Sequence, residues 1–131
     1  MKFESDFETL IINPTLADLK EYRIKFTEEF DKLLYLAQTR SYSDDNDYHT
    51  GILFEKNNKI YYFHEFENPQ QLSYFTTCEE STTKHFFEML DEYDKINEQN
   101  FFVNAKIHYD YLNLNSIIKE KNSSINKKVK L

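Results

Sequence analysis

Residues 51–66 read GILFEKNNKIYYFHEF, and the fold turns on this stretch. Two runs rich in β-branched and aromatic residues flank Asn57-Asn58, and asparagine tolerates the left-handed backbone that a tight two-residue turn demands. The reading is a β-hairpin, and with it antiparallel pairing. Side chains alternate along a strand, so Ile60, Tyr62, His64 and Phe66 share one face, and Tyr61, Phe63, Glu65 and Glu67 the other. Asn68-Pro69 interrupts the run, and residues 71–78 (QLSYFTTC) read as a third strand.

Working outward, Asn13-Pro14-Thr15 marks a helix start, with Asp18 at capping-box distance from Thr15. Leu16, Leu19, Tyr22, Phe26, Phe30, Leu33, Leu34 and Ala37 then recur at spacings of three and four, which predicts a long amphipathic helix over 15–39. Residues 3–12 read as a short strand or the lead-in to that helix, and 40–50 as an acidic loop. Downstream, Phe86, Met89, Leu90, Tyr93 and Ile96 predict a second helix over about 82–97. Val103, Ala105, Ile107, Tyr109 and Tyr111 alternate with polar residues, which predicts a strand from Asn100 and then a short helix over 112–121. The expected fold class is α+β: an antiparallel sheet of about four strands packed against two main helices as a single layer pair. One domain is expected over 1–118, with a basic, flexible tail over 119–131.

The chain of 131 residues is 40% hydrophobic and 17% aromatic, all of it Phe and Tyr. That is enough apolar material to rule out a disordered chain despite 30% charged residues. Five Lys and one Glu in the last 13 residues give that segment a net charge of +4, which leaves −11 of the overall −7 on the other 118. So acidic a body repels phosphate backbones and attracts basic proteins, so the expected partner is a basic protein and not nucleic acid. Acids at Glu4, Asp6 and Glu8 stand where a signal peptide needs basic residues. No apolar run approaches the roughly 18 residues of a membrane span. A lone cysteine excludes an internal disulfide. Together these predict a cytoplasmic protein without membrane contact.

With Gly51 as its only glycine, the chain carries none of the Gly-rich phosphate loops or nucleophile elbows, and it has no His-Glu-x-x-His. No catalytic residue, metal or cofactor is expected. Cys78 closing an apolar strand reads as a small core residue rather than a nucleophile. His64 and His108, on two predicted strands, could meet near Glu65, Glu67 or Asp110 as a mixed metal site, but half-exposed strand histidines are the plainer reading. What remains is surface. SDDNDY (43–48) and YYFHEFE (61–67) interleave acids with aromatic rings, the composition of an interface that steers a basic partner. The candidate partner-binding residues are therefore Tyr42, Asp44, Asp45, Asp47, Tyr48, Tyr61, Glu65 and Glu67.

The acidic loop SDDNDY, the hairpin after it, the acidic second helix and KIHYDYLNL (106–114) together resemble bacterial immunity proteins. The Tyr-rich closing segment is similar to the antitoxin family that neutralises secreted nucleases in Gram-positive bacteria. This resemblance implies an immunity or antitoxin-like inhibitor that blocks a basic toxin or effector stoichiometrically, without a cofactor. Two alternatives rest on the same residues. One is a phage or plasmid anti-defence inhibitor that mimics nucleic acid through its carboxylates. The other is a small metal-dependent enzyme using His64 and His108.

Overall fold

The computed structural model describes residues 1–40 and 47–129, apart from the side chains of 117 and 119–129. The predicted hairpin is present. β4 (Tyr48–Lys56) and β5 (Lys59–Asn68) pair antiparallel, and Asn57 and Asn58 take φ of 52° and 64° in the turn between them. Before them come β1 (Lys2–Glu4), β2 (Glu8–Ile12), the six-residue α1 (Leu16–Glu21) and β3 (Lys32–Arg40). After them come β6 (Ser73–Glu80), α2 (Thr83–Ile96) and α3 (Phe101–Val129). The class is α+β, but with six strands and three helices among the described residues. The sheet is a meander in the order β1-β2-β3-β4-β5-β6, each strand antiparallel to its neighbour. Among the described residues no helix is long and apolar enough to cross a membrane.

The expected helix over 15–39 is replaced by α1, an extended arm and β3. Its start is as read: the Thr15 hydroxyl accepts from the Asp18 N–H, and the Asp18 side chain accepts from the Thr15 N–H. It stops after two turns because Arg23 adopts a left-handed φ of 56°. The Arg23 N–H then bonds the Lys20 carbonyl, and the Ile24 N–H the Leu19 carbonyl. This is a Schellman stop, in which the left-handed residue is usually glycine. The chain places arginine there, so the sequence carries no stop signal. Beyond it Tyr22, Ile24 and Phe26 turn inward with a period of two, against the back of the sheet. β3 follows with the apolar run Leu33–Ala37, which serves a central strand covered on both faces.

The sheet has a cover on each face, so the expected single layer pair is corrected to three layers. On one face Leu10, Ala37 and Leu53 pack against Phe86 and Leu90 of α2 and Phe102 and Ala105 of α3. On the other, Ile11, Leu36, Ile52, Phe54 and Phe63 pack against Leu19 of α1 and the arm residues Tyr22, Ile24, Phe26 and Phe30. Phe26 meets Phe54 and Phe63 edge-on at 5.2 and 5.1 Å.

The expected strand from Asn100 is also a correction, since residues 101–129 are helical and take in most of the predicted tail. Two observations account for it. Phe102 and Ala105 are buried and Tyr109 half-buried, which is helical spacing laid over the alternation. The helix is also started from outside: Asp94 of α2, only 1% exposed, accepts the Val103 N–H at 2.9 Å. Burial holds the Asp94 carboxyl above the usual carboxylate range. Bonds from the Val103 and Phe102 amides act against this, and the charges of Asp91 and Glu8 add to it.

The folded state therefore holds this proton more tightly than the unfolded chain does. Its stabilising contribution is present below the unfolded value, about pH 4, and is lost as pH rises through the folded one. Asp94→Asn removes that dependence. The expected outcome is that the urea midpoint of the variant gains steadily on the unmodified chain between about pH 4 and pH 6. A constant offset across that range would show that Asp94 does not titrate on folding.

Candidate functional site

Glu65 points from β5 to the arm side of the sheet and is 5% exposed. Its Oε2 accepts the backbone N–H of Lys25 at 2.9 Å and the hydroxyl of Tyr74 on β6 at 2.9 Å. The Lys25 ammonium lies 4.8 Å above the Tyr74 ring. One buried carboxylate thus ties the arm, a central strand and an edge strand together. The Tyr74 hydroxyl is pushed up to about 12, first by desolvation and then by its bond to Glu65, so it remains a proton donor.

Beside this knot Glu65, Glu67, Tyr48 and Arg40 line a cleft of about 480 Å³ together with Arg23 and Lys25. The Arg40 guanidinium sits 5.1 Å from the Tyr48 ring. The structure therefore brings together three of the residues singled out in the sequence: Tyr48, Glu65 and Glu67. Asp47 is close by in the chain but serves the fold: it accepts from Asn68 Nδ2 at 2.6 Å, and Asn68 Oδ1 accepts the Gln71 N–H in the turn after β5. Tyr61 lies against Phe54, ring centroids 5.6 Å apart, within the core under the arm. Tyr42, Asp44 and Asp45 fall outside the described residues.

β6 forms one edge of the sheet, and all eight of its residues are exposed. Tyr74 projects to the arm side, while Phe75 projects to the helix side, where it stacks on Phe66 at 5.0 Å. Cys78 is exposed on the arm side, and burial of the thiol followed by the Glu28 charge pushes it up, away from thiolate. Its cross-strand partner is Phe63, whereas His64 opposes Thr77 on the helix side. His64 is thus not placed to act as a base for Cys78.

His64 and His108 do not meet. His108 is on α3, edge-on to Phe3 of β1, and β1 is four strands from β5. The partner of His64 is His49 on β4, whose Nδ1 lies 3.0 Å from His64 Nε2. The ring planes differ by 12° with centroids 5.3 Å apart, which is as far as that nitrogen contact allows. The rings therefore meet edge to edge through one N–H···N bond. The lone pair and the proton point at each other, and no metal ion fits between them. Burial holds both imidazoles below the usual histidine value. Among the described residues, no group of three or more His, Cys, Asp or Glu side chains is placed to hold a metal ion. The pair borders a second cavity, about 320 Å³, between the sheet and α2.

The sequence reading passed over Lys25, Arg40 and Tyr74, and never paired His49 with His64. Ile24 was the available signal for the arm: it breaks the three-four spacing and completes an alternation with Tyr22 and Phe26. His49 and His64 lie 15 residues apart, and only the hairpin register, which sets Gly51 opposite His64, brings them close. No family model, no curated protein and no solved structure matches this chain.

Proposed function

We propose that the chain is a binding protein of the immunity or antitoxin type, which blocks a basic protein by adding a strand of it along β6. The observation that carries this reading is the open edge itself. Proteins blunt their sheet edges with short strands, Pro, Lys or bulges, because an unpaired row of N–H and C=O groups invites another strand. β1 is blunted in this way: it is three residues long, with Lys2 paired to Glu4 at 2.9 Å and its ammonium over Tyr22. β6 has eight residues in unbroken register with β5, contains neither Pro nor Lys, and is bare throughout. Tyr74 and Phe75 place an aromatic anchor on either side of it. Over 59–80 four acids (Glu65, Glu67, Glu79, Glu80) face a single Lys59, which favours a basic partner and faster encounter with it.

The test uses the protein that co-purifies with the tagged chain from the cells that make it. The reading expects a basic protein whose binding weakens steeply with salt. It also expects Thr76→Pro, which disrupts the edge, and the joint change of Glu67, Glu79 and Glu80 to Gln each to weaken binding by about tenfold or more. A partner indifferent to both changes would sink the strand-addition reading.

A further inference from the structure

Past Tyr109 the helix α3 leaves the body of the fold. Phe102 and Ala105 are buried and Tyr109 is half-buried, whereas residues 110–114 are all exposed. Ile107, Tyr111, Leu114 and Ile118 lie on the opposite side of the helix from Phe102 and Ala105. Their exposure runs from 46% at Ile118 to 62% at Tyr111. Spacings of four, three and four are those of a seam between two paired helices, and Ile125 stands seven residues further on in the sequence. Large apolar side chains in one line on a solvent-facing helix mark an interaction surface.

Charge decides what covers it. Residues 119–131 carry a net +4 beside a body of −11. The helix runs to Val129, which at 1.5 Å per residue lies about 30 Å along the axis from Tyr109. The basic end is therefore carried away from the acidic body it belongs to. A basic protein, the class favoured at β6, is repelled by this end, whereas a second copy of the chain offers it an acidic complement. Where α2 turns into α3, Asp91, Asp94 and Glu98 meet a single Lys95 around a cavity of about 380 Å³. Asp94 Oδ1 is buried without a hydrogen-bond partner among the described residues. Asn100 and Val103 line the same cavity, and Val103 stands four residues before Ile107, on the same side of α3 as the stripe. The acidic corner thus continues the stripe.

We propose that a second copy of the chain docks on this surface, its α3 laid antiparallel along the first with Ile107 beside Ile118 and Tyr111 beside Leu114. The antiparallel sense brings each basic end alongside the acidic corner of the other copy, near Glu98. A parallel pair would lay the two basic ends together, where they repel. The arrangement is two-fold, so every contact is made twice. β6 takes no part in it and stays open, so the pairing does not depend on what that edge binds. The seam is short, which sets the dimer at a Kd of about 1–50 μM.

The experiment is sedimentation equilibrium of the full chain from about 1 to about 100 μM at low and high salt. The expected result is a monomer–dimer equilibrium that weakens as salt rises. Tyr111→Asp and Leu114→Asp should each raise the Kd by about a hundredfold or more, and the joint change Asp91→Lys with Glu98→Lys by about tenfold. All four positions are exposed, and circular dichroism of each variant checks that it folds. Orientation is read by mixing two single-cysteine chains, Cys78→Ser/Ile107→Cys and Cys78→Ser/Ile118→Cys, with a short bis-maleimide. Position 107 should cross-link to 118 in preference to either position with itself. A chain still monomeric at about 100 μM, a dimer that survives Tyr111→Asp and Leu114→Asp, one indifferent to the charge reversal, or cross-links formed like to like would each overturn the proposal.

Discussion

Phe86→Ala is expected to remove about 3–5 kcal/mol of folding stability, read as a fall in the urea midpoint at unchanged slope. The ring is 1% exposed and packs in the cluster between α2 and the sheet. It lies 5.8 Å from Tyr35 of β3, 6.0 Å from Tyr62 of β5 and 5.4 Å from its neighbour Phe87. Truncation loses the transfer energy of the ring and leaves a hole lined by strand residues that cannot collapse into it. A domain of this size is stable by only about 5–15 kcal/mol, so the variant should sit near the edge of folding at physiological temperature. Phe75→Ala is the control. That ring is 49% exposed on β6, and its removal should change stability by less than about 1 kcal/mol. Equal losses in the two variants would mean that α2 does not pack as described.

Glu65→Ala is the second large effect, expected at about 2–3 kcal/mol. The change strips the acceptor from the Lys25 amide and the Tyr74 hydroxyl at once, and bonds to an ionised carboxylate are the stronger kind. Only the hydroxyl, on a residue 43% exposed, can readily turn to water instead. Glu65→Gln keeps the shape and one acceptor oxygen and should lose about half as much. Hydrogen exchange gives the sharper readout: the Lys25 amide should lose most of its protection in Glu65→Ala, while amides of β3 and β4 keep theirs. Retained protection at Lys25 would show that the arm is held by Phe26 and its ring contacts alone.

These two residues also mark what the sequence made legible. The hairpin at Asn57-Asn58 was readable because its turn chemistry and its alternation point the same way. α2 was readable because its apolar stripe is helical and nothing competes with it. Over 15–39 the two periodicities overlap. Tyr22, Phe26 and Phe30 satisfy the helical one, and Ile24 satisfies the extended one. The decisive event, a left-handed arginine at 23, has no local signature. At 101–111 the alternation was a true feature of the sequence that the fold does not use. A buried aspartate seven residues before the helix starts it, and a reading confined to the segment cannot see that. At the site, Glu65, Glu67 and Tyr48 were visible as an acidic, aromatic face. In the positive half of the cleft, Arg40 closes β3, while Arg23 and Lys25 come from the arm folding back over the sheet and were hidden once that arm was read as helix. His49 and His64 required the register of the hairpin as well as its existence.

The meander has a consequence for how the protein is made. Every strand pairs with the one synthesised just before it, so the sheet can zip up in the order in which it leaves the ribosome, without waiting for any distant segment. The two covers do not arrive together. α1 and the arm precede β3 and can close over the back of the sheet while it grows, but α2 and α3 emerge only after β6. For that interval the nascent chain presents Leu10, Ala37 and Leu53 to the cell uncovered, beside an edge that stays open even afterwards. Emergence of residues 102–105, where Phe102 and Ala105 complete the cover, is the step that ends this exposure.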